Sequence, residues 1–137
     1  MGFQDELRSL GGQDGGPQRH SLNTANVDKA ARDILERLKR DLKSAVANGR
    51  TQRAGILGTK KHAFVTAGFH IDKSLTSTPC QKTSTFEGEV NTYWAFHDIH
   101  EVRLVARRMS ELGQPDGIRV TVDKGLYGPC FFASVTY

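Results

Sequence analysis

Lys60-Lys61-His62-Ala63-Phe64-Val65-Thr66-Ala67-Gly68-Phe69-His70-Ile71 alternates residue by residue. Ala63, Val65, Ala67, Phe69 and Ile71 fall on one face. His62, Phe64, Thr66, Gly68 and His70 fall on the other. Period-two spacing predicts a half-buried strand over 60–71. A shorter strand is expected just before it, near Ala54–Leu57, turning at Gly58-Thr59.

Upstream the period changes. Val27, Ala31, Ile34, Leu38, Leu42 and Ala45 recur at steps of four and three, with Leu35 and Val46 widening the stripe. That pattern predicts an amphipathic helix over 24–48. Thr24 or Asn26 would cap its start and Asn48-Gly49 its end. Asp33 with Arg37, and Glu36 with Arg40, stand four apart with the acid first, the favourable order for an ion pair.

Downstream, 72–82 reads as a polar loop, and 83–96 alternates again. Phe86, Val90, Trp94 and Phe96 oppose Thr85, Glu87, Glu89, Asn91 and Tyr93, with Gly88 read as a bulge. Strands 60–71 and 83–96 are expected to form an antiparallel pair. Ile99, Val102, Val105, Ala106, Met109 and Leu112 mark a second helix over 98–112. Asp98 and Glu101 have the spacing of a capping box, and Gly113 stands as the stop. Ile118–Asp123 and Pro129–Tyr137 alternate as a closing hairpin, and the last strand could pair its edge with a partner or a second copy.

Helix, two to three strands, helix, two strands implies an α+β fold. The expected architecture is two-layer, an antiparallel sheet of about four to five strands with two helices on one face. His62, Phe64, Tyr93 and Phe132 are candidates for the sheet's second face. The glycine-rich residues 1–22 read as a disordered N-terminal tail, a flexible leader before a single domain over 23–137. The chain has 137 residues, one domain's length, and its 37% hydrophobic and 25% charged residues are those of an ordinary globular domain.

No stretch approaches the ~18 apolar residues of a membrane span. The N-terminus has neither the basic patch and apolar run of a secretory signal nor, with Glu6 at the sixth position, a myristoylation motif. The expectation is a cytoplasmic protein with no membrane partner. Two cysteines, Cys80 and Cys130, are too few for a disulfide framework.

The chain carries +4, but residues 37–61 hold eight bases and one acid, a local charge of +7. The rest of the chain is therefore net −3. Such a field suits phosphates or acidic protein surfaces, or is simply a solvated helix face. Arg37, Arg40, Lys43, Arg50, Arg53, Lys60 and Lys61 are the candidate contacts; Lys39 shares the window. The function these residues suggest is a small non-enzymatic binding module for an anionic partner, nucleic acid first. An adaptor or inhibitor for an acidic protein surface is the alternative, with self-association through an edge strand.

Other chemistries find less. His97 and His100 with Cys80 and Cys130 lack chelating spacing, so no metal is expected. A small Cys/His-dependent enzyme is the alternative from another class, with Cys80, His97 and Asp98 supplying the residue types of thiol chemistry but no local signature of it. Gly55–Lys60 has two glycines and a lysine without the spacing or following helix of a nucleotide loop. No cofactor is expected.

Overall fold

A computed structural model describes residues 24–125 and 128–137. The leader expected over 1–22, and Leu126 and Tyr127 of the last hairpin loop, lie outside the described residues.

The first helix, α1, spans Thr24–Ala47. Its buried residues are Ala30, Ala31, Ile34, Leu35, Leu38, Leu42 and Ala45, the stripe that the periodicity marks. Asn26 lies inside the helix, so it does not cap it. At the far end Gly49 takes φ 70°, where a side chain would be strained. The amide of Gly49 then reaches the Val46 carbonyl at 3.1 Å and that of Arg50 the Ala45 carbonyl at 2.8 Å, closing the last turn. The two expected ion pairs do not form. Arg37 stands one turn from both Asp33 and Asp41 and faces Asp41, at 3.9 Å.

The second helix, α2, spans Ile99–Gly113. Asp98 caps it, its carboxylate accepting the Glu101 amide at 2.9 Å. The α-helix ends at Gly113, as expected, but without a reversal there. The chain runs on through a short tight turn, Gln114–Asp116, and reverses at Gly117, whose φ is 70°.

Among the described residues six strands form one sheet: β1 (Gln52–Ala54), β2 (Lys60–Ile71), β3 (Cys80–Phe86), β4 (Glu89–Phe96), β5 (Arg119–Asp123) and β6 (Cys130–Thr136). Their order is β3-β4-β2-β6-β5, with β1 paired to the start of β2. The α+β architecture holds, with a larger sheet than expected. The strand before β2 is Gln52–Ala54, and Ile56–Gly58 form a tight turn instead of its continuation.

The expected antiparallel pairing of 60–71 with 83–96 is wrong. Residues 80–96 form a hairpin of their own, and its second strand lies parallel to β2, Phe69 opposite Trp94 and Ile71 opposite Phe96. Gly88 is a turn residue, not a bulge: Glu87 (φ 51°) and Gly88 (φ 82°) make the two-residue turn that joins paired strands. Reversing there puts Phe86 on the opposite sheet face from Val90 and Trp94, and Phe86 is exposed. Nor does the C-terminal strand offer an edge, because β6 is paired on one side with β2 and on the other with β5.

Alternation along β2 divides the molecule. Ala63, Ala67 and Phe69 are buried under the helices with Phe131 and Ala133 of β6, Val120 of β5 and Phe96 of β4. Phe69, Phe96 and Phe131 meet pairwise with ring centroids 4.8–5.7 Å apart. Among the described residues, no helix is long and apolar enough to cross a membrane.

The two helices are also clasped by charge. Asp28 of α1 accepts Arg108 of α2 at 2.8 Å and Arg32 at 2.7 Å. Hydrogen bonds from Arg32 and then Arg108 hold the Asp28 carboxyl below its ordinary value. A carboxyl depressed in the folded state contributes stability above its unfolded pKa of about 4 and loses it as pH falls through the depressed value. Asp28→Asn should therefore be less stable than the wild type at neutral pH, and the gap should close on acidification. Urea melts of both proteins from pH 7 to pH 2.5 check this; a gap independent of pH would contradict it.

Candidate functional site

The basic residues distribute unevenly. On α1, a 100° step per residue turns Arg37 to one flank, Lys39 and Lys43 to the other, and Arg40 to the outward crest. Arg37 faces Asp41, and Lys39 is paired with Asp116 at 2.7 Å. Lys43 borders a groove of about 570 Å³ between the end of α1 and the end of β6, with Val46, Val135 and Tyr137. Arg50 lies on the opposite flank, in a cleft with Asp41, Ser44, Phe64 and Thr66.

The densest charge is on the hairpin β1–β2. Arg53 stands directly opposite Lys61, their side chains on one face of the ladder. Like charges in that position repel. Among the described residues neither has an ion-pair partner. Lys60, opposite Ala54, points to the other face. Both sides of the hairpin are thus cationic. Between Asp41 and Asp72 the sequence has no carboxylate side chain at all.

Glycine explains how the hairpin fits together. A Cβ on Gly55 would come within 3.3 Å of the Lys60 side chain, and one on Gly58 within 3.5 Å of that of Arg53. The two long cationic chains lie across the two glycines. The tip between them is Ile56-Leu57, 87% and 93% exposed, with Leu57 at φ 65°. The end of β6 locks the hairpin to the sheet: Lys61 and Tyr137 exchange two backbone hydrogen bonds of 2.7 and 2.8 Å. Because Tyr137 also lines the groove of Lys43, the structure brings Lys43, Arg53, Lys60 and Lys61 to one end of the molecule. Arg50 flanks them, Arg40 stands on the helix crest, and Arg37 is engaged by Asp41.

Of the enzyme and metal candidates, Cys80 is a half-buried free thiol and His100 is exposed, while His97 and Asp98 have structural partners. The Nδ1 of His97 donates to the Leu75 carbonyl at 2.9 Å, and Asp98 caps α2. Burial pushes the Cys130 thiol up, with Asp123 adding to the effect, the opposite of what a nucleophile needs. Among the described residues, no three His, Cys, Asp or Glu side chains gather as metal ligands would.

One polar residue carries more than its spacing foretells. Glu101 is 1% exposed. Its carboxylate accepts the His97 amide at 3.1 Å and the Thr78 hydroxyl at 3.0 Å, tying the loop before β3 to the start of α2. The capping-box spacing marks the helix start, but nothing in the sequence marks Thr78 as its partner.

No protein-family model matches the chain, and searches of curated proteins and of solved structures found no match.

Two stability changes follow. Glu101→Ala leaves a buried hydroxyl and amide without their acceptor and should cost about 2–4 kcal/mol in denaturant unfolding; a loss under 0.5 kcal/mol would show the latch to be idle. Leu57→Gly removes the strain of a left-handed leucine and should raise stability by up to about 1 kcal/mol, whereas Leu57→Val should lower it. Thermal melts of the pair check both signs.

Proposed function

We propose that this protein binds nucleic acid through the cationic end formed by Lys43, Arg50, Arg53, Lys60 and Lys61, with Arg40 at its margin. One observation carries the reading: Arg53 and Lys61 are held side by side on a two-stranded ladder with no carboxylate paired to either among the described residues. Holding two cations together costs free energy that a bound anion returns. Phosphates fit this need, since each contact releases condensed counterions into solution.

The neighbouring surface favours nucleic acid over an acidic protein. Lys60 shares its face of β2 with His62 and Phe64. Rings beside cations suit bases beside phosphates. A carboxylate-rich protein surface would use the cations alone. Arg37 and Lys39 contribute less, because each already faces a carboxylate.

Fluorescence anisotropy with a labelled 20-nucleotide DNA or RNA, titrated from 50 to 300 mM salt, tests the reading. The logarithm of affinity should fall linearly with the logarithm of salt, by about 0.7–0.9 per phosphate contacted. Arg53→Glu with Lys61→Glu should weaken binding at least tenfold at the lowest salt and flatten the slope by about two contacts. Affinity unaffected by salt, or a double variant that binds like the wild type, would overturn the assignment. Tighter binding to a polyglutamate peptide than to either nucleic acid would favour the acidic-protein alternative.

A further inference from the structure

The sheet has two faces, and the helices cover one. The register places Phe64, Thr66 and Gly68 of β2 on the other face, beside Phe132, Ser134 and Cys130 of β6. Among the described residues the buried stripes of both helices pack on the first face, only the α1 flank at Asp41 and Ser44 borders Phe64 and Thr66 at one edge, and Phe64 is 45% exposed. We propose that this face binds single-stranded nucleic acid, its bases stacking on Phe64 and Phe132 and on the His70–Tyr93 pair. The proposal rests on the preceding reading, in which the cationic hairpin holds the phosphates.

Four features point to bases. The Phe64 and Phe132 rings lie 5.4 Å apart and only 21° from parallel, so a base aligned with one is aligned with both. On the same face, His70 and Tyr93 form a second ring pair with centroids 4.3 Å apart. Phe64 and His70 are six residues apart on one strand, about 20 Å at 3.3 Å per residue, a span for several nucleotides. Between them sits Gly68, where an added Cβ would meet nothing closer than the Pro129 carbonyl at 4.0 Å, so the face is low there.

The third feature is what the face lacks. On β2, β6 and β5 its side chains are aromatic, hydroxyl, thiol or charged, and none is Leu, Ile, Val or Met. A protein partner's interface core normally draws on aliphatic contacts as well. Exposed rings set among Thr66, Ser134 and Thr136 supply π-surfaces together with hydrogen-bonding groups, the combination that unpaired bases use. A duplex keeps its base faces stacked inside and cannot use the rings.

Charge is the fourth. Lys60 stands on this face where it meets the hairpin, Lys82 sits opposite Tyr93, and Arg119 opposite Ser134. Of the carboxylates near this face, Glu89 opposite Phe86 lies at the far hairpin turn, Asp123 opposite Cys130 is level with Gly68 but two strands away, and Asp72, just past the end of β2, is near enough to Lys82 to interact with its charge. A strand leaving Lys60 crosses the rings with Arg119 on one flank and Lys82, its charge shared with Asp72, on the other.

The test compares one 15-nucleotide sequence as single strand and as duplex, by anisotropy at 100 mM salt. The wild type should bind the single strand at least tenfold more tightly. Phe64→Ala with Phe132→Ala should remove about tenfold from single-strand affinity, within the range of one lost stacking contact, and leave duplex affinity and the salt slope unchanged. In parallel, a single strand carrying 5-iodouracil, irradiated with the wild-type protein, should cross-link to Phe64, Phe132, His70 or Tyr93. This second measurement needs no variant and stands if the double variant does not fold. Equal affinity for single strand and duplex, or cross-links only outside these four residues, would overturn the stacking face and leave the phosphate reading intact. Failure of the wild type to bind either form would overturn both.

Discussion

Everything in this fold is organised by the two-sidedness of one strand. β2 is twelve residues long and pairs with β1 at its start, β6 along its middle and β4 at its end. Successive side chains must point to opposite faces. Ala63 and Ala67 are small enough to let α1 lie close, and with Phe69 they build the buried layer. The intervening His62, Phe64, Thr66 and His70 are thereby committed to the uncovered layer. A slip of one residue would exchange the two sets and bury two histidines and a threonine in place of the alanines. The burial that stabilises the protein and the display of its exposed rings are consequences of a single register.

The charge follows from the same geometry by a different route. α1 ends where β2 begins, because only three residues of β1 and one tight turn separate the end of the helix loop from the long strand. Residues distributed over the back half of α1 and the hairpin are therefore drawn to one end of the sheet. Locally this arrangement works against stability. Arg53 faces Lys61, and an aliphatic pair sits fully exposed at the tip with Leu57 left-handed. The β3–β4 turn carries a similar conflict, with Phe86 and Val90 exposed and Glu87 left-handed, whereas α2 is capped, the core rings are packed and Glu101 is hydrogen-bonded.

Both helices were legible in the sequence because each repeats a short-range pattern several times, so one ambiguous position changes little. Glycine at 49 and aspartate at 98 act on neighbours within a turn, and both behave as their positions indicate. The sheet was legible only in part. Glu87-Gly88 admits either a bulge or a reversal, and the alternation around it fits both. What selects reversal is the need to bring Trp94 and Phe96 beside Phe69, a contact between residues some 25 positions apart. The parallel pairing that results has no local signal at all. Glu101 is similar: its spacing from Asp98 is visible, while its bond to Thr78 depends on where the loop before β3 comes to rest. Of the candidate contacts, Arg37 shows the limit most plainly, since a count of charges cannot say that it faces Asp41.

By itself, then, the sequence determined the periodicities, the helix ends, the alternation of β2 and the concentration of positive charge in 37–61, all properties set by covalent neighbours within a few residues. Tertiary structure decided which cations remain unpaired among the described residues, which strand lies next to which, and that His62, Phe64, His70, Tyr93 and Phe132 share the sheet face opposite the helical core. Those outcomes depend on distances between residues remote in the chain, and such distances exist only once the core has closed and fixed the register.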